Sequence, residues 1–235
     1  LKRLFKETET SGDLELYGAL LARVDSELSN TWGGYGEVSS RTLTYLARRG
    51  WRFLRKRGEN FPAAYVDSAI AVLREYPEST NWTRTWVAKH IFFHNYEIYG
   101  GKASGQNGFS LWSLPDSMTE HRAFSDLWRE DPRPLFGLLE RARSEQARRF
   151  AIEGLKEDFR AELRELDVEN ILRLIQVESA TVHEFAVWLL ENAPRFEQSA
   201  FGELGLHDAV LSLLDSPGRA ARAYAADYVR THARG

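Results

Sequence analysis

Two histidines and a glutamate at helical spacing come nearest to a metal-binding pattern in this chain. In the segment HIFFHNYE, His90, His94 and Glu97 would share one face of a helix, which is the arrangement of a site with two histidines and one carboxylate. The segment lacks the HExxH order of zinc peptidases, because Ile91 follows His90. The surrounding aromatic residues favour a packed helix instead, and we predict neither a metal site nor a cofactor.

Signatures of the other common catalytic sites are missing or incomplete. The chain has no cysteine, which excludes thiol catalysis, thiolate metal sites and disulfides. It has no GxSxG nucleophile motif, and the loop GGKASGQNGF lacks the order of a phosphate-binding P-loop. A glycosylase-like site would need Asp126 or Glu184 beside an aromatic cleft, with stacking from Trp82, Trp86, Trp128 or Trp188. Tryptophan in helical repeats more often fills the core, so the sequence favours a non-catalytic protein.

The strongest charge feature is the segment RTLTYLARRGWRFLRKR at residues 41–57. It contains seven basic residues and no acidic residue, whereas the rest of the chain has 24 basic and 34 acidic residues. On a helical wheel the basic side chains form one stripe and the leucines lie opposite. We predict that the leucine face packs inward and that a candidate binding stripe faces outward, formed by Arg41, Arg48, Arg49, Arg52, Arg55 and Lys56 with Trp51 at its border.

Three interpretations of this stripe remain open. Acidic helices of the same chain, such as DLELYGALLARVDSELSN or FRAELRELDVEN, could pair with it, although exposed pairs contribute only about 0–1 kcal/mol each. An acidic protein partner could dock on it. Nucleic-acid phosphates could also bind, and the affinity would then fall steeply with salt because counterions are released.

Almost the whole chain has the apolar spacing of amphipathic helices, and strand-like alternation is nearly absent. Residues 1–130 predict irregular helical pairs, which include the basic helix and a helix over NWTRTWVAKHIFFHNYEIYG. A long loop follows near residues 100–118, and Phe109, Leu111 and Trp112 within it are candidate contact residues. No run approaches the roughly 18 apolar residues of a membrane span, so we expect no membrane association.

Residues 131–235 contain an internal repeat of three apolar hairpins. In each unit a leucine is followed eleven residues later by an aromatic residue and then by alanine. One helical hairpin cannot cover its own apolar face, so such units must stack. The repeat positions are Leu139, Phe150 and Ala151, then Leu174, Phe185 and Ala186, then Leu213, Tyr224 and Ala225.

This pattern resembles HEAT-like repeats, particularly in the turn LLDSPGRAAR and the alanine-rich helix that follows it. The resemblance implies an all-α fold, an α-solenoid of stacked hairpins with a more irregular N-terminal half. The phrases RTLTYLARRGWRFL and FSDLWREDP also resemble the helical region of bacterial MolR-like proteins that accompany WGR domains. That resemblance implies a scaffold module within a larger regulatory protein near nucleic acid.

We therefore expect a cytoplasmic, non-catalytic scaffold that binds a macromolecular partner, with a protein as the first choice. The alternatives are binding of a nucleic-acid backbone through 41–57 and, third, a DNA glycosylase of the HEAT-like AlkD type. Because the chain opens at Leu1 inside an amphipathic segment, we also expect it to be part of a longer protein. The sequence leaves the oligomeric state open.

Overall fold

The structure, a computed structural model, describes residues 1–30, 38–95 and 114–232. Every regular element in these ranges is an α-helix or a short 3₁₀ helix, so the prediction of an all-α protein is confirmed. The α-helices are α1 (Lys2–Ser11), α2 (Leu14–Asn30), α3 (Ser40–Asn60), α4 (Tyr65–Leu73), α5 (Val87–Phe93), α6 (Ser125–Trp128), α7 (Arg133–Arg141), α8 (Glu145–Asp158), α9 (Arg160–Arg164), α10 (Val168–Ile175), α11 (Ala180–Asn192), α12 (His207–Ser212) and α13 (Arg219–His232). The 3₁₀ helices are Pro62–Ala64, Trp82–Arg84, Gln198–Ala200 and Leu213–Asp215.

The chain divides into two compact units, Leu1–Glu153 and Gly154–Gly235. In the first unit α2 packs along both α3 and α4, and α1 and α5 pack against the same group of helices. Glycine permits the closest of these approaches. A Cβ atom on Gly18 of α2 would collide with the backbone carbonyl of Ala71 in α4, and one on Gly50 of α3 would collide with the Leu21 side chain. Tyr17 fastens α2 to α3, because its hydroxyl donates to the Gly50 carbonyl at 2.9 Å.

The helix predicted over NWTRTWVAKHIFFHNYEIYG is shorter than the pattern suggests. Trp82–Arg84 forms a 3₁₀ helix, Thr85 has an extended backbone (ψ 145°), and α5 begins at Val87. The break follows from Asp25 of α2, whose buried carboxylate accepts hydrogen bonds from the backbone N–H groups of Trp86, Val87 and Ala88. A side chain from 61 residues away therefore caps the helix.

In the second unit α10 pairs with α11, and α12 and the 3₁₀ helix Leu213–Asp215 pack against α13. His183 of α11 is buried and joins these pairs, because its Nδ1 lies 2.7 Å from the Ser216 hydroxyl and its Nε2 lies 2.8 Å from the Ile175 carbonyl. Of the nine leucine, aromatic and alanine positions of the predicted repeat, eight are buried and Tyr224 is half-buried.

A candidate binding surface on the basic helix

The basic segment forms α3, which begins where Ser39 caps it by accepting a hydrogen bond from the Thr42 backbone N–H at 3.4 Å. One face of α3 is buried and consists of Leu43, Leu46, Ala47, Gly50, Trp51, Leu54 and Gly58. The opposite face carries cations. Arg41, Arg48, Arg52, Arg55 and Lys56 are all exposed, so their side chains are accessible to a partner.

Contacts with neighbouring side chains hold Arg48, Arg49 and Arg55 in place. Arg49 is half-buried, because its guanidinium forms a bidentate pair with Glu9 of α1 that includes an Nε–Oε2 bond of 2.9 Å. This pair joins α1 to α3, so Arg49 contributes to the packing of the two helices and not to the exposed stripe. The guanidinium of Arg48 lies over the Trp86 ring at 5.0 Å, which orders this side chain while leaving it exposed. Arg55 pairs with Glu59 one turn further along α3, at 3.3 Å.

Trp51 lies in the core and not at the border of the exposed stripe. Its side chain is 5% exposed and stacks on the ring of His90 with centroids 4.9 Å apart and planes 8° apart. The ring of His94 approaches it from a second direction at 5.2 Å. Trp51 is therefore not available to stack on a ligand in this conformation.

The predicted histidine pair belongs to this same packed cluster. Burial, with a smaller effect of the neighbouring His94, lowers the pKa of His90 to about 3, and burial also lowers the pKa of His94. Both rings are therefore neutral near pH 7 and suited to packing against Trp51. Glu97 lies outside the described residues. Within the described ranges, no group of three or more His, Asp or Glu side chains could hold a metal ion.

The acidic residues of α2 do not cover the stripe. Glu15 pairs with Arg74 at 3.1 Å, Glu27 pairs with Arg23 on its own helix, and Asp25 is buried beneath α5. Within residues 1–30, 38–95 and 114–232, only Glu9 and Glu59 form ion pairs with cations of the basic segment. Arg41, Arg52 and Lys56 have no acidic partner in that part of the chain.

Tyr45 is a surface residue that the charge pattern alone did not single out. It is 37% exposed and helps to line an open groove of about 610 Å³ together with Ser40, Arg41, Thr44, Arg48 and Arg52. The ammonium of Lys2 lies 5.4 Å from the centre of its ring. The signal was present in the sequence, since Arg41, Tyr45, Arg48 and Arg52 follow one another at intervals of three or four residues.

Within the described ranges, neither candidate catalytic carboxylate lies in an aromatic cleft. Asp126 is exposed and pairs with Arg129 at 3.5 Å, and Glu184 is exposed on α11. Trp128, a candidate stacking residue, is buried and donates its indole N–H to the Ala123 carbonyl at 3.0 Å. The loop GGKASGQNGF and the residues Phe109, Leu111 and Trp112 lie outside the described residues. Among the described helices, none is long and apolar enough to cross a membrane.

Comparisons of the chain with protein-family models, with curated proteins and with solved structures found no significant match.

Proposed function

We propose that the chain is a non-catalytic helical scaffold and that the outer face of α3 binds an acidic segment of a protein partner. The observation that carries the proposal is that Arg41, Arg52 and Lys56 are exposed and lack an acidic partner within the described ranges. Because the rest of the chain is acidic on balance, this local positive field is a property of α3 and not of the molecule as a whole.

The spacing of the exposed cations favours an extended acidic segment over a single anion. From Arg41 to Lys56 the helix advances about 22 Å, at 1.5 Å per residue. The five exposed cations occupy positions 41, 48, 52, 55 and 56, which are separated mainly by one or two helical turns. An acidic helix with carboxylates at every third or fourth position would present its charges at the same interval.

Charge alone would give only weak binding, so apolar contacts must contribute. Five exposed ion pairs at about 0.2–1 kcal/mol each, of which the one to Arg55 competes with Glu59, amount to a few kcal/mol, which corresponds to a millimolar dissociation constant. Tyr45 supplies an exposed aromatic surface among the cations. Leu1 and Leu4, 49% and 42% exposed, lie on either side of Lys2, whose ammonium contacts the Tyr45 ring. We expect the partner to carry apolar residues beside its carboxylates.

The burial of Trp51 favours a protein partner over single-stranded nucleic acid. Proteins that bind single strands without sequence preference combine cations with exposed aromatic rings, on which successive bases stack. On α3 the central tryptophan is buried, and Tyr45 at one end is the exposed aromatic residue of the helix. Tyr45 is thus the one exposed ring that α3 itself supplies beside the cations, and the Trp86 ring under Arg48 is half-buried, whereas a base-stacking surface would need several exposed rings.

The scaffold part of the proposal is that the C-terminal hairpins are HEAT-like repeats stacked as an α-solenoid. Its support is the burial of the repeated leucine and alanine positions, together with the pairing of α10 with α11 and of α12 with α13. The likeness to the helical region of MolR-like proteins agrees with a scaffold role.

The decisive experiment uses two synthetic helical peptides of identical composition. One has glutamates on a single face at intervals of three and four residues beside a few leucines, and the other has the same residues in scrambled order. Binding is measured by fluorescence anisotropy at low and high salt. We expect the patterned peptide to bind more tightly than the scrambled one. The double variant Arg48→Glu/Arg52→Glu should weaken binding about tenfold or more, because each reversal replaces an attraction of up to about 1 kcal/mol with a repulsion.

The matched control is Arg149→Glu/Arg219→Glu, which changes the net charge equally at exposed sites on α8 and α13. It should bind the patterned peptide as the unaltered protein does. Equal binding by the two double variants would refute the role of α3. A labelled DNA duplex and a matching RNA are titrated in parallel, and tighter binding of either than of the patterned peptide would establish the nucleic-acid alternative instead.

A further inference from the structure

A second cationic site lies in the unit Gly154–Gly235, independent of α3. A concavity of about 360 Å³, here called the Trp188 pocket, is formed by residues at the end of α8, in α9 and in α11. Three of its lining residues are cations, namely Lys156, Arg160 and Arg164. Its apolar lining includes Trp188 and the buried side chains of Leu163 and Leu189. The volume is within the range of small-molecule sites, which is about 300–1,000 Å³.

The described part of the chain does not neutralise the three cations of the Trp188 pocket. None of them has a carboxylate within ion-pair distance in the described part of the chain. Arg160 donates from Nε to the Lys156 carbonyl at 2.9 Å, which leaves its terminal nitrogens available to a ligand. Arg160 and Arg164 are exposed, whereas Lys156 is half-buried. The described lining of the pocket therefore carries three cationic side chains and no carboxylate.

The ammonium of Lys156 lies in an aromatic environment in which a bound anion would stabilise its charge. Its ammonium lies 4.2 Å from the centre of the Trp188 ring and 5.6 Å from the centre of the Phe185 ring. These two rings lie within 12° of parallel, and of the two it is Trp188 that lines the pocket. Burial lowers the pKa of Lys156. The cation–π contact offsets part of the desolvation of the ammonium, and a bound anion would offset more.

The shape and chemistry of the site specify two features of the ligand. The guanidinium of one arginine can donate two parallel N–H bonds to the oxygens of a phosphate or carboxylate group. Three cations suit a doubly charged group better than a singly charged one. The indole of Trp188 and the leucines offer an apolar surface next to these charges. Asn192, at the rim, donates to the Trp188 carbonyl at 2.8 Å and keeps its amide oxygen available for a hydroxyl of the ligand.

We propose that the Trp188 pocket binds a phosphate monoester attached to an aromatic ring. The phosphate binds between Arg160, Arg164 and Lys156, and the ring packs against Trp188 and the leucines. The same chemistry is offered by a free aromatic phosphate and by a phosphotyrosine side chain in a peptide. The site requires no catalytic step, and its ligand is distinct from the partner proposed for α3.

The test follows the indole N–H signal of Trp188 by NMR in the full ¹⁵N-labelled chain, assigned with the variant Trp188→Phe. The probes are phenyl phosphate, inorganic phosphate, benzoate and benzyl alcohol, each titrated at millimolar concentration. We expect phenyl phosphate to shift the signal and to bind about tenfold or more tightly than the other three, because it alone combines a dianion with a ring. A phosphotyrosine peptide and its unphosphorylated form are added to distinguish the two sources.

The variant Arg160→Gln/Arg164→Gln should weaken phenyl phosphate binding about tenfold or more. The control Arg219→Gln/Arg230→Gln removes two exposed charges from α13 of the same unit and should leave binding unchanged. All four substitutions are at exposed positions, and thermal melting verifies that each variant is folded. An unmoved Trp188 signal, or equal affinity in the two double variants, would overturn the proposal. Tighter binding of the phosphotyrosine peptide than of phenyl phosphate would support a peptide source, and the reverse would support a small molecule.

Discussion

The buried carboxylate of Asp25 gives the sharpest prediction about stability. Its Oδ2 accepts from the Tyr76 hydroxyl at 2.6 Å and from the N–H groups of Val87 and Ala88 at 2.9 and 3.3 Å, and its Oδ1 accepts from the Trp86 N–H at 2.7 Å. Burial raises the pKa of Asp25, and these four hydrogen bonds act against that rise. The perturbation is Asp25→Asn, which keeps the shape but replaces one acceptor oxygen by an amide that can only donate.

The magnitude follows from the donors that lose their acceptor. Whichever way the asparagine amide is oriented, either the N–H of Trp86 or the N–H groups of Val87 and Ala88 then face another donor, at a cost of about 1–3 kcal/mol. The remaining bonds lose the strength that comes from a charged acceptor, so the total cost is about 2–4 kcal/mol. A domain of this size loses about 2–4 °C in Tm for each kcal/mol, so the Tm should fall by roughly 10 °C.

The assay is urea unfolding followed by circular dichroism and tryptophan fluorescence. Asp116→Asn, at an exposed position, is the control and should change the free energy of unfolding by less than about 0.5 kcal/mol. Tyr76→Phe removes the hydroxyl that donates to Asp25. Because the two residues share this hydrogen bond, the double variant Asp25→Asn/Tyr76→Phe should lose about 1 kcal/mol less stability than the sum of the losses in the two single variants. If Asp25→Asn were as stable as Asp116→Asn, the capping of α5 by Asp25 would be refuted.

Two further predictions concern the same unit. Burial lowers the pKa of Lys89 to about 7 from 10.5, so the unfolded state binds more protons between these values and stability should rise with pH across them. The rise in the free energy of unfolding amounts to about 3–5 kcal/mol, and Lys89→Met should remove it. Urea unfolding of both proteins at a series of pH values measures the effect. A difference in free energy of unfolding that stayed constant with pH would contradict the reasoning. Gly18→Ala should destabilise by about 1–3 kcal/mol, since its Cβ meets the Ala71 backbone, whereas Gly202→Ala has open space and should not. Equal Tm values for the two alanine variants would show that α2 and α4 can separate without cost.

The sequence predicted what depends on local spacing. The helical wheel of 41–57 identified the leucines that are buried and the arginines that are exposed, because both follow from a period of 3.6 residues along one helix. It could not reveal that Arg49 pairs with Glu9, since the two are 40 residues apart and on different helices. The break before α5 was missed for the same reason, because the capping carboxylate of Asp25 belongs to α2.

Trp51 shows why a border position on a wheel is ambiguous. Its angular position on the helix is compatible with either an exposed or a buried side chain. Whether it is buried depends on which aromatic rings from elsewhere in the chain pack against it. His90 and His94 of the α5 segment provide a flat neutral surface, so the indole is buried there. The Trp188 pocket was missed because its cations are ordinary surface residues in sequence and come from α8 and α9, whereas its tryptophan comes from α11.

The contact between Arg48 and Trp86 makes one cation of the α3 face different from the others. A freely rotating arginine loses rotamer entropy when it binds, at a cost of about 0.5–1.5 kcal/mol per side chain. The guanidinium of Arg48 is already ordered over the indole ring at 5.0 Å, so less of that entropy remains to be lost. Arg41 and Arg52 lie on either side of it without acidic partners in the described ranges, and they would strengthen a contact once it forms. Binding energies in interfaces concentrate at a few ordered residues, often arginine, that are surrounded by weaker contacts. On this surface Arg48 is ordered by an aromatic ring and not by a carboxylate of the described ranges, and its order depends on Trp86, which in turn packs against His90.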